Sequence, residues 1–268
     1  MSFQNDRYTN DLYSRDFAWE PDEMSAYHEQ YRTVSRADSL LARVAIDAIL
    51  SGHNTRPLLK QLNSGLILGA GGVPRGAGIL EPTLAETAFL RITDSTKENV
   101  DETRRIFEEL KKGRSSQRHW YAHERDMEKH NFRWRDAIGN AALRASFDVQ
   151  DIHTVEPHSA EGVGMEYVAE SMLSDRNEYR QVMRRFTDAS DRLVYMAYSV
   201  NSHGYVVGDR RHPAYPVSVD EAAELIEQGG FELLHDPHEG FAPASPELRQ
   251  ENDTHSYDGF AVIVAERK

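Results

Sequence analysis

The chain has 268 residues, a formal net charge of −13 and a hydrophobic share of 39%. This length fits one α/β domain with an appendage, or two small domains, around a sizeable core. The acidic balance argues against nucleic acid as the main partner, because proteins that bind it normally present a basic surface. The lack of cysteine excludes disulfides, thiolate catalysis and cysteine-ligated metal centres.

The N-terminal stretch MSFQNDRYTNDLYSRDF is polar and lacks the apolar segment of a secretory signal. No apolar run in the chain approaches the length of a membrane span. These features predict a cytoplasmic protein. We expect residues 1–55 to form an arm and a helical cap, and residues 56–268 to form the main domain.

Along the main domain, short apolar runs that predict strands alternate with amphipathic stretches that predict helices. The predicted strands lie at 65–68, 88–94, 145–152, 163–169, 193–199, 231–235 and 257–265. The predicted helices lie at 22–51, 97–112, 174–186 and 219–229. Such alternation is typical of a mostly parallel sheet with helices on both faces. The prediction is a Rossmann-like α/β domain of seven strands with an antiparallel last strand, because only a loop joins the last two.

The most informative motif is a glycine-rich break after the first strand, at Gly69, Ala70 and Gly71, followed by a second strand that ends on Asp94. Glycine backbone can approach a ligand closely, and a carboxylate can accept hydrogen bonds from a ribose diol. The pair therefore predicts a nucleoside site. Each feature also has a simpler explanation, since glycines form tight turns and an aspartate before Ser-Thr often caps a helix.

The order and spacing of these features resemble class I S-adenosylmethionine-dependent methyltransferases. A nicotinamide-dependent dehydrogenase would share both features, but it more often shows a full G-x-G-x-x-G motif that opens a helix. Here Pro74 follows closely on the glycines, which disfavours an immediate helix. More specific stretches resemble a bacterial branch of the nicotinamide/phenylethanolamine/thioether N-methyltransferase family. They are YHEQY at 27–31, VAES at 168–171, DRNEY at 175–179, MRRF at 183–186 and GYVVGD at 204–209.

The resemblance implies S-adenosylmethionine as the cofactor. The glycine turn would pack against its methionine portion and Asp94 would bind its ribose hydroxyls. Asp151 would accept a hydrogen bond from the adenine amine, with Asp148 as the competing candidate. The cofactor-binding residues implied in this way are Tyr27, Tyr31, Gly69, Ala70, Gly71, Asp94, Asp151, Ile152 and Val168.

One position departs from the family pattern. Two residues before the first glycine the family usually carries an acid, which orients the loop and the ammonium group of the cofactor. This chain has Ile67 there. Either another group such as Glu170 takes over, or the protein binds a nucleoside without catalysing transfer.

Methyl transfer from a sulfonium needs an in-line acceptor, a dry site and a proton acceptor where the substrate carries a proton. Aromatic faces also stabilise the cation. The predicted substrate-binding residues are Trp19, Trp120, Glu170, Tyr205 and Tyr215, the last two from an insertion near 202–217 over the carboxyl end of the sheet. The predicted catalytic residues are Tyr31, His119 and His123.

His119 and His123 lie in a second insertion, near 114–140, where their spacing would place them on one helix face. Histidine titrates near neutral pH, which suits proton transfer. This segment could line a substrate lid or form a charged, solvated helix. The two histidines lack a third ligand at convincing spacing, so no metal site is predicted.

The sequence therefore predicts a methyltransferase of secondary metabolism that acts on a small molecule. The resemblance suggests an amine or an aromatic nitrogen heterocycle, such as an indole-type natural product, methylated at nitrogen or carbon. No nucleic acid or membrane partner is expected, and a homo-oligomer is compatible with the sequence. The alternatives are a non-catalytic nucleoside-binding protein that retains the fold, and an NAD(P)-dependent oxidoreductase.

Overall fold

The computed structural model describes residues 36–55, 61–69, 75–112, 127, 132–172, 175–207, 210–244 and 257–268. The helices are α1 (Arg36–Thr55), α2 (Arg75–Leu80), α3 (Lys97–Lys111), α4 (Trp134–Arg144), α5 (Ala169–Met172), α6 (Arg176–Asp188) and α7 (Val219–Gln228). The strands are β1 (Leu62–Leu68), β2 (Leu84–Asp94), β3 (Ala145–Val149), β4 (Ala160–Glu166), β5 (Ser190–Val200), β6 (Gly204–Val207), β7 (Arg210–Pro213), β8 (Phe231–Leu233), β9 (Phe241–Pro243) and β10 (Gly259–Arg267). None of the helices in these ranges is long and apolar enough to cross a membrane.

The main sheet has the strand order β3-β2-β1-β4-β5-β10-β8. Strands β1 to β5 pair in parallel, and β10 runs antiparallel between β5 and β8. This arrangement confirms the predicted parallel sheet with an antiparallel last strand. Strand β9, which the sequence did not predict, pairs with β10 along the same edge as β8.

Several element boundaries differ from the sequence prediction. Strand β4 stops at Glu166 rather than at 169, because Tyr167 takes a φ of 54° and α5 begins at Ala169. Strand β3 stops at Val149, because Asp151 caps the 3-10 turn that follows. The predicted excursion at 202–217 contains the antiparallel hairpin β6–β7.

Helices cover both faces of the sheet, as predicted, and each face has its own apolar core. Helices α1 to α4 contribute buried side chains to the first core, and α6 and α7 contribute to the second. The alternation of β1 separates the two, since Ile67 packs in the first core while Leu66 and Leu68 pack in the second.

Helix α1 lies in the predicted N-terminal cap and packs one face against the sheet. Leu41, Ala45 and Ile49 recur every fourth residue and are buried in the first core with Val262 and Val264 of β10. The remainder of the predicted arm and cap, residues 1–35, lies outside the described residues.

Two helical glycines generate predictions of opposite sign. A Cβ at Gly78 in α2 would lie 2.7 Å from Cη2 of Trp134, whereas one at Gly139 in α4 would meet no atom within 4 Å. We expect Gly78→Ala to lower the free energy of unfolding by about 1–3 kcal/mol through overpacking. Gly139→Ala should raise it by about 0.5–1 kcal/mol, because alanine favours the helix. Urea denaturation measures both, and changes of the same sign would contradict this packing.

Candidate functional site

The candidate site lies where β1 meets its two parallel neighbours at the carboxyl edge of the sheet. Leu68 at the end of β1 pairs with Thr93 of β2 on one side and with Met165 of β4 on the other. The next residues along these strands, Gly69, Asp94 and Glu166, therefore lie side by side. Open α/β sheets bind their ligands at such a point, where the strand order reverses.

Gly69 is the one predicted turn residue that the structure describes, and only glycine fits its position. Its φ of 71° lies in the left-handed region, and a Cβ there would lie 2.0 Å from Cγ2 of Val168. The end of β1 thus turns directly beneath the chain that leaves β4. The space that a side chain would need is thus taken by Val168, and the approach of a ligand to this turn stays a prediction. Ala70 and Gly71 lie outside the described residues.

Asp94 is buried at the end of β2, with 6% of its surface exposed. Its Oδ1 accepts hydrogen bonds from Thr96 N and Thr96 Oγ1, both at 2.9 Å, and from Asn99 Nδ2 at 3.1 Å. These bonds hold Asp94 against the start of α3, whose N-cap residue is Thr96 rather than Asp94. They also fix the carboxylate beside the glycine turn, and a carboxylate has a second oxygen that can accept from a diol.

Asp151 and Ile152 follow β3, at the outer side of the site. Asp151 is exposed, and its Oδ1 accepts from His153 N at 2.8 Å. Ile152 is buried in the second core. The competing candidate, Asp148, is also exposed and pairs with Thr93 in the β2–β3 ladder. The choice between the two aspartates as the adenine partner stays a prediction.

Glu166 is a carboxylate at this edge that the sequence interpretation missed. Its Oε2 accepts from Gly76 N at 3.2 Å and lies 3.7 Å from Arg75 Nε, and its Oε1 accepts from the Tyr195 hydroxyl. Burial, together with this carboxylate, raises the pKa of Tyr195, so the hydroxyl remains a donor. The available signal was the position of the acid, which ends a buried strand beside the glycine turn.

Tyr167 places an unusual backbone conformation next to this carboxylate. Its φ is 54°, which is strained for a residue with a side chain, and its N–H donates to Ala197 O at 2.8 Å. The Arg75 guanidinium lies 5.4 Å from the ring centroid, and Phe260 contacts the ring edge-on at 5.7 Å. The turn after β4 is therefore held from both sides.

Glu170 lies in the interior rather than beside Ile67. It is 1% exposed, and its Oε1 accepts from Ser199 N at 3.0 Å. Its carboxylate interacts electrostatically with Tyr179 and Tyr198 of the second core, whereas Ile67 belongs to the first. Burial raises the pKa of Glu170 to about 7.

The structure places Tyr215 over α6 and α7. Its hydroxyl donates to Glu221 Oε2 at 3.0 Å, its ring centroid lies 4.9 Å from that of Tyr179, and its N–H donates to Glu170 O at 2.8 Å. Tyr205 lies in β6, paired with His212 of β7. The other predicted site residues lie outside the described part of the chain; they are Trp19, Tyr27, Tyr31, His119, Trp120 and His123. Among the residues that are described, no three His, Asp or Glu side chains are placed to hold a metal ion.

This strand order, with the glycine turn after β1, defines the class I methyltransferase fold. Among solved structures, magnesium protoporphyrin IX methyltransferase (ChlM) from Synechocystis PCC 6803 with bound SAM matches 94% of this chain and 100% of its own, with a TM-score of 0.52 and 12% identity. Its form with SAH gives a TM-score of 0.51 at 12% identity, over 92% of this chain and 95% of that one. The CurJ carbon methyltransferase also gives 0.51 at 12% identity, over 88% of this chain and 56% of that one. Neither a protein-family model nor a curated protein sequence matches the chain.

Glu170 makes the stability of the protein depend on pH. Its pKa is about 7 in the folded state against a usual 4.5, so its stabilising contribution is full below pH 4.5 and is lost as the pH rises through about 7. Glu170→Gln stays neutral throughout. We expect its free energy of unfolding, relative to the parent, to rise by about 2–3 kcal/mol between roughly pH 5 and pH 8.

Urea denaturation across this pH range tests the expectation. The matched control is Glu227→Gln, because Glu227 is exposed on α7. Parallel pH profiles for Glu170→Gln and the parent protein would contradict the buried, proton-binding state of Glu170.

Proposed function

We propose that the protein is an S-adenosylmethionine-dependent methyltransferase that acts on a small molecule. The observation that carries the proposal is the left-handed turn at Gly69, closed by Val168 and placed beside the anchored carboxylate of Asp94. The Synechocystis enzyme whose structures hold SAM or SAH has the same fold, which supports the choice of ligand.

The described residues fit the roles that such a donor requires. Gly69 lets the ligand approach the backbone, and Asp94 offers a carboxylate to the ribose diol. Asp151 and Ile152 lie at the neighbouring strand end, which suits the adenine. S-adenosylmethionine supplies an electrophilic methyl group on a sulfonium. The residues of the protein therefore have to bind the donor, orient the acceptor and exclude water.

For the acceptor, we propose an amine or an aromatic nitrogen heterocycle, such as an indole-type compound. The support is the resemblance to the N-methyltransferase family, together with Tyr205 and Tyr215 of the insertion near 202–217. An acceptor that carries a proton has to lose it, and Tyr31, His119 and His123 are our proposed proton-handling residues. Trp19, Trp120 and Tyr205 would contact the flat acceptor.

A second candidate function is nucleoside binding without transfer. The observation that favours it is Ile67, which packs in the first core where the related enzymes usually carry an acid. Tight binding of S-adenosylmethionine with no transfer to a panel of amines and indoles would support this candidate over the methyltransferase.

Isothermal titration calorimetry with S-adenosylhomocysteine and with NADH tests the binding claim. We expect the parent protein to bind only the first. Asp94→Asn keeps an Oδ1 that can accept the capping bonds but loses the charge and the second acceptor. It should therefore weaken binding of S-adenosylhomocysteine by about tenfold or more, with little change in stability.

Asp175→Asn is the matched control. Asp175 caps α6 through bonds from Asn177 N and Glu178 N, so its substitution removes a capping charge without changing Asp94, and this variant should bind like the parent. If the parent binds no S-adenosylhomocysteine, the proposed function is wrong. If Asp94→Asn binds as tightly as the parent, the role given to Asp94 is wrong.

A further inference from the structure

We propose that Arg75 and Glu166 form the subsite for the zwitterionic amino-acid end of the methyl donor, with Glu166 supplying the carboxylate that Ile67 does not. This inference rests on the proposed function and deepens it. It assigns a site to the part of the ligand that distinguishes a sulfonium donor from other adenosine compounds.

Strand register places Glu166 where it can replace the missing acid. Ile67 pairs with Gly164 in the β1–β4 ladder. Glu166 follows Gly164 by two residues, so the Glu166 side chain lies on the same face of the sheet as Ile67. Ile67 fills the space beneath, because its Cδ1 lies 2.9 Å from where a Cβ would stand at Gly164. The carboxylate of Glu166 thus lies on the adjacent strand, two residues closer to the carboxyl edge than the position of Ile67.

The Glu166 carboxylate is held in one orientation. Gly76 N donates to Oε2 at 3.2 Å, and the Tyr195 hydroxyl donates to Oε1. Gly76 is the second residue of α2, so the same carboxylate joins α2 to β4. The acid of the family pattern has comparable tasks, since it orients the loop and the ammonium group of the cofactor.

Arg75 provides the opposite charge beside this carboxylate. Its Nε lies 3.7 Å from Glu166 Oε2, and the two side chains are only 13% and 9% exposed. An ammonium and a carboxylate lose hydration when they enter such a site, and each requires a partner of opposite charge. A guanidinium binds a carboxylate through two parallel hydrogen bonds, and a glutamate accepts from an ammonium.

The pair borders a small cavity with room for about one water molecule. Arg75, Glu166, Tyr167 and Tyr195 line it, together with Leu41 and Ala42 of α1 and with Ile79 and Ala197. Tyr167 holds the guanidinium over its ring at 5.4 Å. Leu41 and Ala42 thus place α1 beside this end of the site.

The competing explanation is that Arg75 and Glu166 form an ion pair that only fastens α2 to β4. A purely structural pair would affect every adenosine ligand to the same extent. A zwitterion subsite acts only on ligands that carry the amino-acid group. The test therefore compares S-adenosylhomocysteine with 5′-methylthioadenosine, which keeps the adenosine and the thioether but lacks the amino acid.

We expect calorimetry to show that Glu166→Gln weakens S-adenosylhomocysteine binding by at least about tenfold and leaves methylthioadenosine binding unchanged. The glutamine side chain has the same size and keeps one acceptor oxygen, which favours a folded variant. Arg75→Gln should give the same ligand pattern, and it carries the test alone if Glu166→Gln does not fold. The matched control is Glu161→Gln, at the opposite end of β4, where Glu161 lies 3.4 Å from Arg192.

Equal losses for both ligands, or no loss for either, would overturn the subsite and leave the proposed function standing. A parent protein that binds neither ligand would instead overturn the proposed function. Loss of binding in Glu161→Gln as well would assign the effect to strand stability and would also overturn the subsite.

Discussion

The turn at Gly69 is the constraint on which the candidate site depends. The backbone there takes a φ of 71°, and Val168 occupies the place where any side chain would stand. Because β1 lies between β2 and β4 in the sheet, this contact is made at the carboxyl edge where the strand order reverses. Asp94 and Glu166 then lie on either side of the turn, held by hydrogen bonds from Asn99 of α3 and from Gly76 of α2.

Glu166 at the end of β4 and Glu170 just after it are both glutamates, but their surroundings differ. Glu166 lies beside a guanidinium, with Arg75 Nε 3.7 Å from its carboxylate. Glu170, four residues later, is buried on the opposite face with a pKa of about 7. Burial without a cation favours the neutral acid, so Glu170 stabilises the fold in its protonated form. Of these two glutamates, Glu166 is therefore the one to which we assign a role in binding.

Sequence patterns predicted the fold class because each strand and helix leaves a local periodicity. They predicted Gly69 and Asp94 for the same reason, since a glycine break and a terminal acid can be read within one segment. Glu166 was missed because its importance depends on pairing with β1, and register is not visible in either strand alone. Glu170 was expected to help at the glycine turn, but which face it occupies is set by the turn at Tyr167, whose φ of 54° no sequence pattern indicated.

The most direct test of the account is a crystal structure of the protein with S-adenosylhomocysteine. We expect the amino-acid end of the ligand over Gly69, with its ammonium within hydrogen-bond distance of Glu166 and its carboxylate beside Arg75. The ribose should lie at Asp94. A ligand bound away from the carboxyl ends of β1 and β4 would contradict the account.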